Sequence, residues 1–376
     1  MTGAAGIYVH LPFCPYLCPY CDFAKWMWND ERAAAYLLAL RAEISVAAPT
    51  QARTLFFGGG TPTLYAPAAI AQIIDDVRAR FALPLDAEIT SEANPDPALP
   101  NHLAALRAAG VNRLSIGVQT FDADELRVTG RRHSAADVVR AVAAGRAAGF
   151  ENISLDLIFA IPGQTEASWA GSLQAAIDLG VEHISCYGLT VEEGTPYATW
   201  FARDPSAFAD DTRKAAFYAQ AIAMLGAAGF EQYEISNWAR PGFRCRHNAG
   251  YWANDEYVGL GVSAASYREG TRSVNTRDLA TYVESAGAGL PIPGESEHLT
   301  GEARVGEAIM LALRTAEGVD LALFRERYDT DVAAHYAPVV DEMVGGGMLI
   351  RTADALRLTE RGRFVANDVC GAFLAD

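Results

Sequence analysis

Three cysteines, Cys14, Cys18 and Cys21, fall within eight positions of the stretch HLPFCPYLCPYCDF. The spacing Cys-x3-Cys-x2-Cys on a tight loop lets three thiolates reach three irons of a cubane 4Fe-4S cluster, leaving the fourth iron without a protein ligand. An open iron can bind a small molecule. Zinc is the alternative, but structural zinc takes four closed ligands and no fourth Cys or His follows nearby. The position two beyond Cys21 is Phe23. Elsewhere Glu92 in SEANP, Gln119 in SIGVQTF and Asp156 in LDLIFAI are polar groups inside apolar runs. Desolvating them is costly unless a partner is present, and a ligand or a structural hydrogen bond would serve equally. Gly58, Gly59 and Gly60, in GGGTP with Thr61, end another apolar run. Glycines there permit a backbone approach that a Cβ would block, a weak signal taken alone.

These residues need elements to hold them. Six β-rich runs, at 7–13, 54–59, 87–93, 113–121, 153–161 and 183–190, each end in a turn and read as buried strands. Helical patterns lie between them. Ile70, Ile73, Ile74, Val77 and Phe81 form one stripe, Ser134 with Asp137 resembles a capping box ahead of a helix closed by Gly149, and Thr165 opens another that Gly180 ends. Alternating strands and helices predict an α/β fold, a parallel sheet curled into a partial (β/α)6 TIM-like barrel. In such sheets ligands sit at the C-terminal ends of strands. The triad, GGGTP, Glu92 and Gln119 all fall at such ends.

From 231 the alternation fails, and the segment to 297 reads as an irregular cover carrying the aromatic run His247-Asn248-Ala249-Gly250-Tyr251-Trp252. Helical runs and a hairpin then predict a winged-helix-like α+β tail over 298–376. The expected domains are therefore 1–230, 231–297 and 298–376. That tail has 8 Lys+Arg against 13 Asp+Glu and the whole chain carries −16, which argues against nucleic acid as a partner. With 51% apolar residues but no apolar run long enough to span a bilayer, a soluble protein is expected. The first ten residues lack a signal-peptide pattern, and six cysteines, three of them crowded, suit a reducing compartment, so a cytoplasmic location is expected. Cys186 and Cys370 read as small apolar residues, and Cys245, two before His247, lacks the spacing of c-type heme attachment.

The triad, in this place after the first strand, resembles the radical S-adenosylmethionine superfamily, and the likeness extends over roughly residues 6 to 270. The resemblance implies a 4Fe-4S cluster on Cys14, Cys18 and Cys21 whose open iron chelates the amino and carboxylate groups of S-adenosylmethionine. In that superfamily an electron from the cluster cleaves the sulfonium to methionine and a 5′-deoxyadenosyl radical. It further implies Tyr8 near the sulfonium, Gly59, Gly60 and Thr61 on the methionine part, and Glu92, Gln119 and Asp156 on the adenosyl ligand. Arg131 in TGRRHS matches the arginine of the branch acting in heme biosynthesis, a fork-shaped cation suited to a carboxylate.

Two features separate the neighbouring branches. The oxygen-independent coproporphyrinogen III oxidase carries a fourth cysteine two positions after the third and a long extension before the first strand. Here Phe23 takes that position, and six residues precede Ile7. The run from His247 to Trp252, together with CDF at 21–23, resembles the HNxxYW signature of the heme chaperone family HemW. This implies a protein that binds heme and transfers it to an acceptor protein, such as a membrane-associated respiratory protein, with an electron donor for the cluster. His247 would then offer an imidazole to heme iron or shape its pocket, Tyr251 and Trp252 would lie on the porphyrin face, and Arg244 and Arg246 would meet propionates. No residue is assigned a catalytic role on this reading. The porphyrinogen oxidase is the alternative.

Overall fold

The computed structural model describes residues 4–374. Six parallel strands, β1 (Ala5–Leu11), β2 (Ala52–Gly59), β3 (Glu88–Ala93), β4 (Arg113–Gln119), β5 (Asn152–Phe159) and β6 (His183–Gly188), lie side by side in chain order. Each is the expected run, shifted by at most a few residues. The crossovers include α1 (Asp30–Val46), α2 (Pro67–Phe81), α3 (Pro100–Ala109), α4 (Ala135–Ala147) and α5 (Glu166–Asp178), and α6 (Asp211–Ala227) follows β6. Parallel strands need such crossovers, and the helices bury the outward face of the sheet. The α2 stripe Ile70, Ile73, Ile74, Val77 and Phe81 is fully buried. Ser134 and Asp137 make the capping box of α4, and Thr165 caps α5 reciprocally with Ser168. Along β1 the side chains alternate, so Ile7, Val9 and Leu11 join the outer core while Tyr8 and His10 face the interior cavity.

The segment 231–297, expected as an irregular cover, instead extends both edges of the sheet. On one side β8 (Asn237–Ala239) pairs antiparallel with β6, followed by β7 (Glu231–Gln232). On the other, β9 (Tyr257–Leu260) pairs parallel with β1, and β10 (Ala265–Arg268), β11 (Thr271–Asn275) and β12 (Gly294–His298) follow antiparallel. The sheet so completed has twelve strands. These strands run two to five residues, too short and too near an edge to show the continuous apolar signature of the central six.

Between β8 and β9 lies α7 (Arg246–Trp252), which carries the aromatic run. Its contacts are with the N-terminal ends of strands: a Cβ on Gly6 would lie 3.2 Å from the His247 ring, and Glu88, first in β3, accepts the Arg246 and His247 amides at 3.0 Å each. The carboxylate thereby caps a helix N-terminus. The run therefore plugs the floor of the barrel, at the end opposite the cysteines.

After β12, helices α8 (Gly301–Leu313), α9 (Leu321–Tyr328) and α10 (Ala337–Gly345) pack with a small antiparallel sheet of β13 (Val319–Asp320), β14 (Leu349–Arg351) and β15 (Ala355–Leu358) around a separate core that includes Ile309, Val340 and Leu356. This is the winged-helix-like tail. It is joined to the floor through Arg327, which donates to the Ala253 and Asn254 carbonyls, and through Arg314, stacked over Trp252. Among the described residues no helix is long and apolar enough to cross a membrane.

Candidate functional site

A cavity of about 690 Å³ runs inside the barrel from the three cysteines at its mouth to His183 and His247 near its floor. Each cysteine is placed by the end of β1. Phe13–Cys14 forms a short parallel ladder with Trp26–Met27, and Trp26 and Trp28 donate backbone bonds of 2.9 Å to Pro12 and Cys14. This closes the base of the loop that carries Cys18 and Cys21. The Cys21 amide donates to the Cys18 carbonyl at 3.3 Å, and Lys25 donates to the carbonyl of Cys21. The other cysteines, Cys186, Cys245 and Cys370, are buried and unpaired outside the loop. Among the described residues no three His, Cys, Asp or Glu side chains meet around one metal ion. Three thiolates on separate irons of a cubane need no such meeting, and a closed zinc site does.

Gly60 and Thr61 attach the end of β2 to this loop, donating backbone bonds of 2.8 and 2.9 Å to Leu11 and Phe13. A Cβ at Gly60 would lie 2.6 Å from the Phe13 carbonyl oxygen, and one at Gly59, whose φ is +106°, would lie 2.4 Å from the His10 ring. The glycines expected to admit a ligand thus first admit the cluster loop itself. Gly60→Ala is expected to displace the loop base at a cost of ~1–3 kcal/mol. It should lose most of its iron on reconstitution, read by iron and sulfide analysis beside the unfolding midpoint.

His10 escaped notice in the sequence, although it shares a strand face with Tyr8. Its Nε2 faces the Ala24 carbonyl at 2.8 Å and must donate, so its Nδ1 accepts from the Tyr8 hydroxyl at 2.9 Å. Burial lowers its pKa, which keeps this neutral tautomer. Tyr8 is therefore tied through His10 to the cluster loop. A second tie runs from Thr61: Asn94 donates to its hydroxyl at 2.9 Å and accepts from Arg131 at 2.6 Å. Arg131 also donates to the Gly117 carbonyl and lies 3.9 Å from the Cys18 sulfur. Asn94, just past β3, was likewise missed.

The remaining polar strand residues line the same cavity. Glu92 accepts the Gly59 amide at 3.1 Å, and burial followed by the Asp156 charge pushes its pKa up to about 8. Both effects favour its protonated form toward neutral pH. Asp156 accepts from the hydroxyls of Ser115, Ser154 and Ser185 at 2.8, 3.1 and 2.9 Å. Burial raises its pKa while those bonds hold it down. Gln119 sits at φ +68°, where β4 slips register against β5 between Gly117 and Gln119. That irregularity turns its side chain into the cavity, as bulges near sites do.

His247 is only 3% exposed. Thr54 engages its Nδ1 at 2.8 Å and Tyr251 its Nε2 at 2.7 Å, while burial, then the charges of Arg53 and Arg113, lower its pKa to about 3. Both ring nitrogens are hydrogen-bonded to neighbouring hydroxyls, which fixes the imidazole in the wall of the cavity near its floor. Arg244 is paired with Glu317 at 2.6 Å and Arg246 reaches the Arg53 carbonyl, so neither of these arginines faces the cavity.

Residues 8–176 match the Radical SAM superfamily and residues 299–365 the HemN C-terminal domain. The chain is 36% identical to heme chaperone HemW of Bacillus subtilis, covering 98% of this chain and 99% of that one. It is 38% identical to heme chaperone HemW of Mycobacterium tuberculosis over 98% and 94%. Among solved structures, the radical SAM enzyme coproporphyrinogen III oxidase (HemN) of Escherichia coli superposes with a TM-score of 0.85 over 99% of this chain and 90% of that one, at 24% identity. That likeness is one of fold.

Proposed function

The chain belongs to the heme chaperone HemW family of radical S-adenosylmethionine proteins, and from that premise we propose that it binds heme and passes it to an acceptor protein. In this reading Cys14, Cys18 and Cys21 hold a 4Fe-4S cluster whose open iron takes S-adenosylmethionine. The observation that carries it is the cysteine count at the mouth: three thiols line the cavity, and Phe23, 59% exposed, stands where a fourth would be. When bound, the cluster supplies an electron to S-adenosylmethionine.

The chain's own residues position and enclose. Arg131 places a partly buried cation 3.9 Å from the Cys18 sulfur, which favours thiolate charge there. Gly59, Gly60 and Thr61 edge the place for the methionine part, with Tyr8 set toward the sulfonium. Glu92, Gln119, Arg131 and Asp156 surround the adenosyl part. Glu92, neutral near pH 7, can donate a hydrogen bond as well as accept one. His247 is proposed as wall rather than ligand. The domain boundary at 297, a cytoplasmic location, an electron donor and a membrane-associated respiratory acceptor belong to the same reading.

The test is anaerobic. With the cluster reconstituted, heme added to the protein is expected to give a shifted Soret band at about one equivalent, and coproporphyrinogen III is expected to remain intact. Decarboxylation of the porphyrinogen would overturn the chaperone reading in favour of the oxidase.

A further inference from the structure

Arg113 begins β4 and projects into the cavity near its floor, yet it is 2% exposed. A buried guanidinium ordinarily has its forked donors bonded to a carboxylate. Here the neighbouring carboxylates are engaged elsewhere. Glu88 accepts the Arg246 and His247 amides and faces the Cys245 sulfur at 3.8 Å. Asp156 accepts the three serine hydroxyls of Ser115, Ser154 and Ser185. Both compensate the charge of Arg113 through space without taking its hydrogen bonds, and its Nε has no partner among the described residues.

The other polar group beside it is also satisfied. Ser154 gives its one hydroxyl proton to Asp156, so it must accept from His183 Nδ1 at 2.8 Å. His183 Nε2 then accepts from the Tyr233 hydroxyl, also at 2.8 Å. Burial lowers the His183 pKa, keeping it neutral. The floor is thus a closed network around one cation with unused donors, and an unmade hydrogen bond at a buried charged group is costly.

We propose that Arg113 anchors a carboxylate-binding subsite on the cavity floor, at the end opposite the cysteine triad. A planar two-oxygen acceptor matches the guanidinium fork. The carboxylate comes from a tetrapyrrole propionate, a source that rests on the heme-carrying function proposed above, or from a small free carboxylate.

The experiment compares heme with heme dimethyl ester, and separately titrates succinate, on the reconstituted wild-type protein, Arg113→Met and Arg113→Lys. Circular dichroism and iron content serve as folding controls. A propionate source is expected to make the free acid bind about 10-fold or more tighter than the ester in the wild type, because hydrogen bonds to charged groups are the strong ones. Met should erase that preference, and Lys, a point charge without a fork, should keep only part of it. If Met does not fold, the partial loss in Lys decides. Succinate binding that Met abolishes, with an unchanged heme-to-ester ratio, identifies the free carboxylate instead. Binding of heme, ester and succinate unaltered by either substitution overturns the subsite and leaves the arginine holding resident water only. A wild type that binds no heme sinks the chaperone reading, while the succinate titration still decides Arg113.

Discussion

Replacing any one of Cys14, Cys18 or Cys21 by Ala is expected to take the reconstituted protein from about four irons per chain to nearly none, and with them the charge-transfer absorption near the visible. The effect is all-or-none because the donor set has no spare member. The three other cysteines are buried away from the loop. Cys245 sits at the floor against Glu88, and Cys186 lies in β6, so neither can substitute for a missing ligand without unfolding the barrel. Single Ala changes at Cys186, Cys245 and Cys370 are accordingly expected to retain a full iron complement. The fold should survive loss of the cluster, since the loop base is closed by its own backbone ladder and by Gly60 and Thr61. Iron and sulfide analysis with circular dichroism separates the two results. Triad variants that keep their iron would remove the cluster from the proposed function.

What the sequence made legible follows from how strongly each feature is expressed locally. The six central strands are buried on both faces and read as continuous apolar runs. The capping boxes at Ser134 and Thr165 are local by construction, three residues wide. The triad announces itself by spacing. The partners of these residues are set by register between strands, which no local window contains. His10 matters because its strand neighbour Tyr8 points the same way and because Ala24 returns over it from the far end of the loop. Asn94 matters because it stands between Thr61 and Arg131, residues 33 and 37 positions away.

The aromatic run from His247 to Trp252 shows the same limit from the other side. Its residues marked it for attention, and its mixture of polar and aromatic types suited a cover over a ligand. Its place was decided by Glu88, which caps the helix it forms, and by the close approach of Gly6. Those contacts put it under the cavity, where the imidazole is held at both nitrogens. Mouth and floor therefore carry different chemistry. Thiols, glycine backbone and Arg131 gather at the mouth, while a neutral histidine pair and Arg113 lie below, with Glu92 and Asp156 between them.

Glu92→Gln is expected to stabilise the protein at alkaline pH and to flatten its pH dependence. Burial and the Asp156 charge raise the folded-state carboxyl to about 8, whereas the unfolded chain ionises near the ordinary glutamate value of about 4.3. Between those two values the folded state holds a proton that the unfolded state has released. Stability from this group is therefore full below the ordinary value, falls as pH rises through the interval, and levels off above about 8. One pKa unit corresponds to about 1.4 kcal/mol, and the polar groups around the carboxyl relax to offset part of the effect, leaving a loss of ~2–4 kcal/mol across the window. Glutamine keeps an acceptor for the Gly59 amide, 3.1 Å from the carboxylate it replaces, and has no proton to lose. The variant and the wild type should have similar denaturation midpoints at pH 5 and diverge toward pH 8.5, with the variant the more stable. Parallel midpoint curves for the two proteins would mean that Glu92 is ionised in the folded cavity, and the hydrogen-bond donor proposed for it there would be lost.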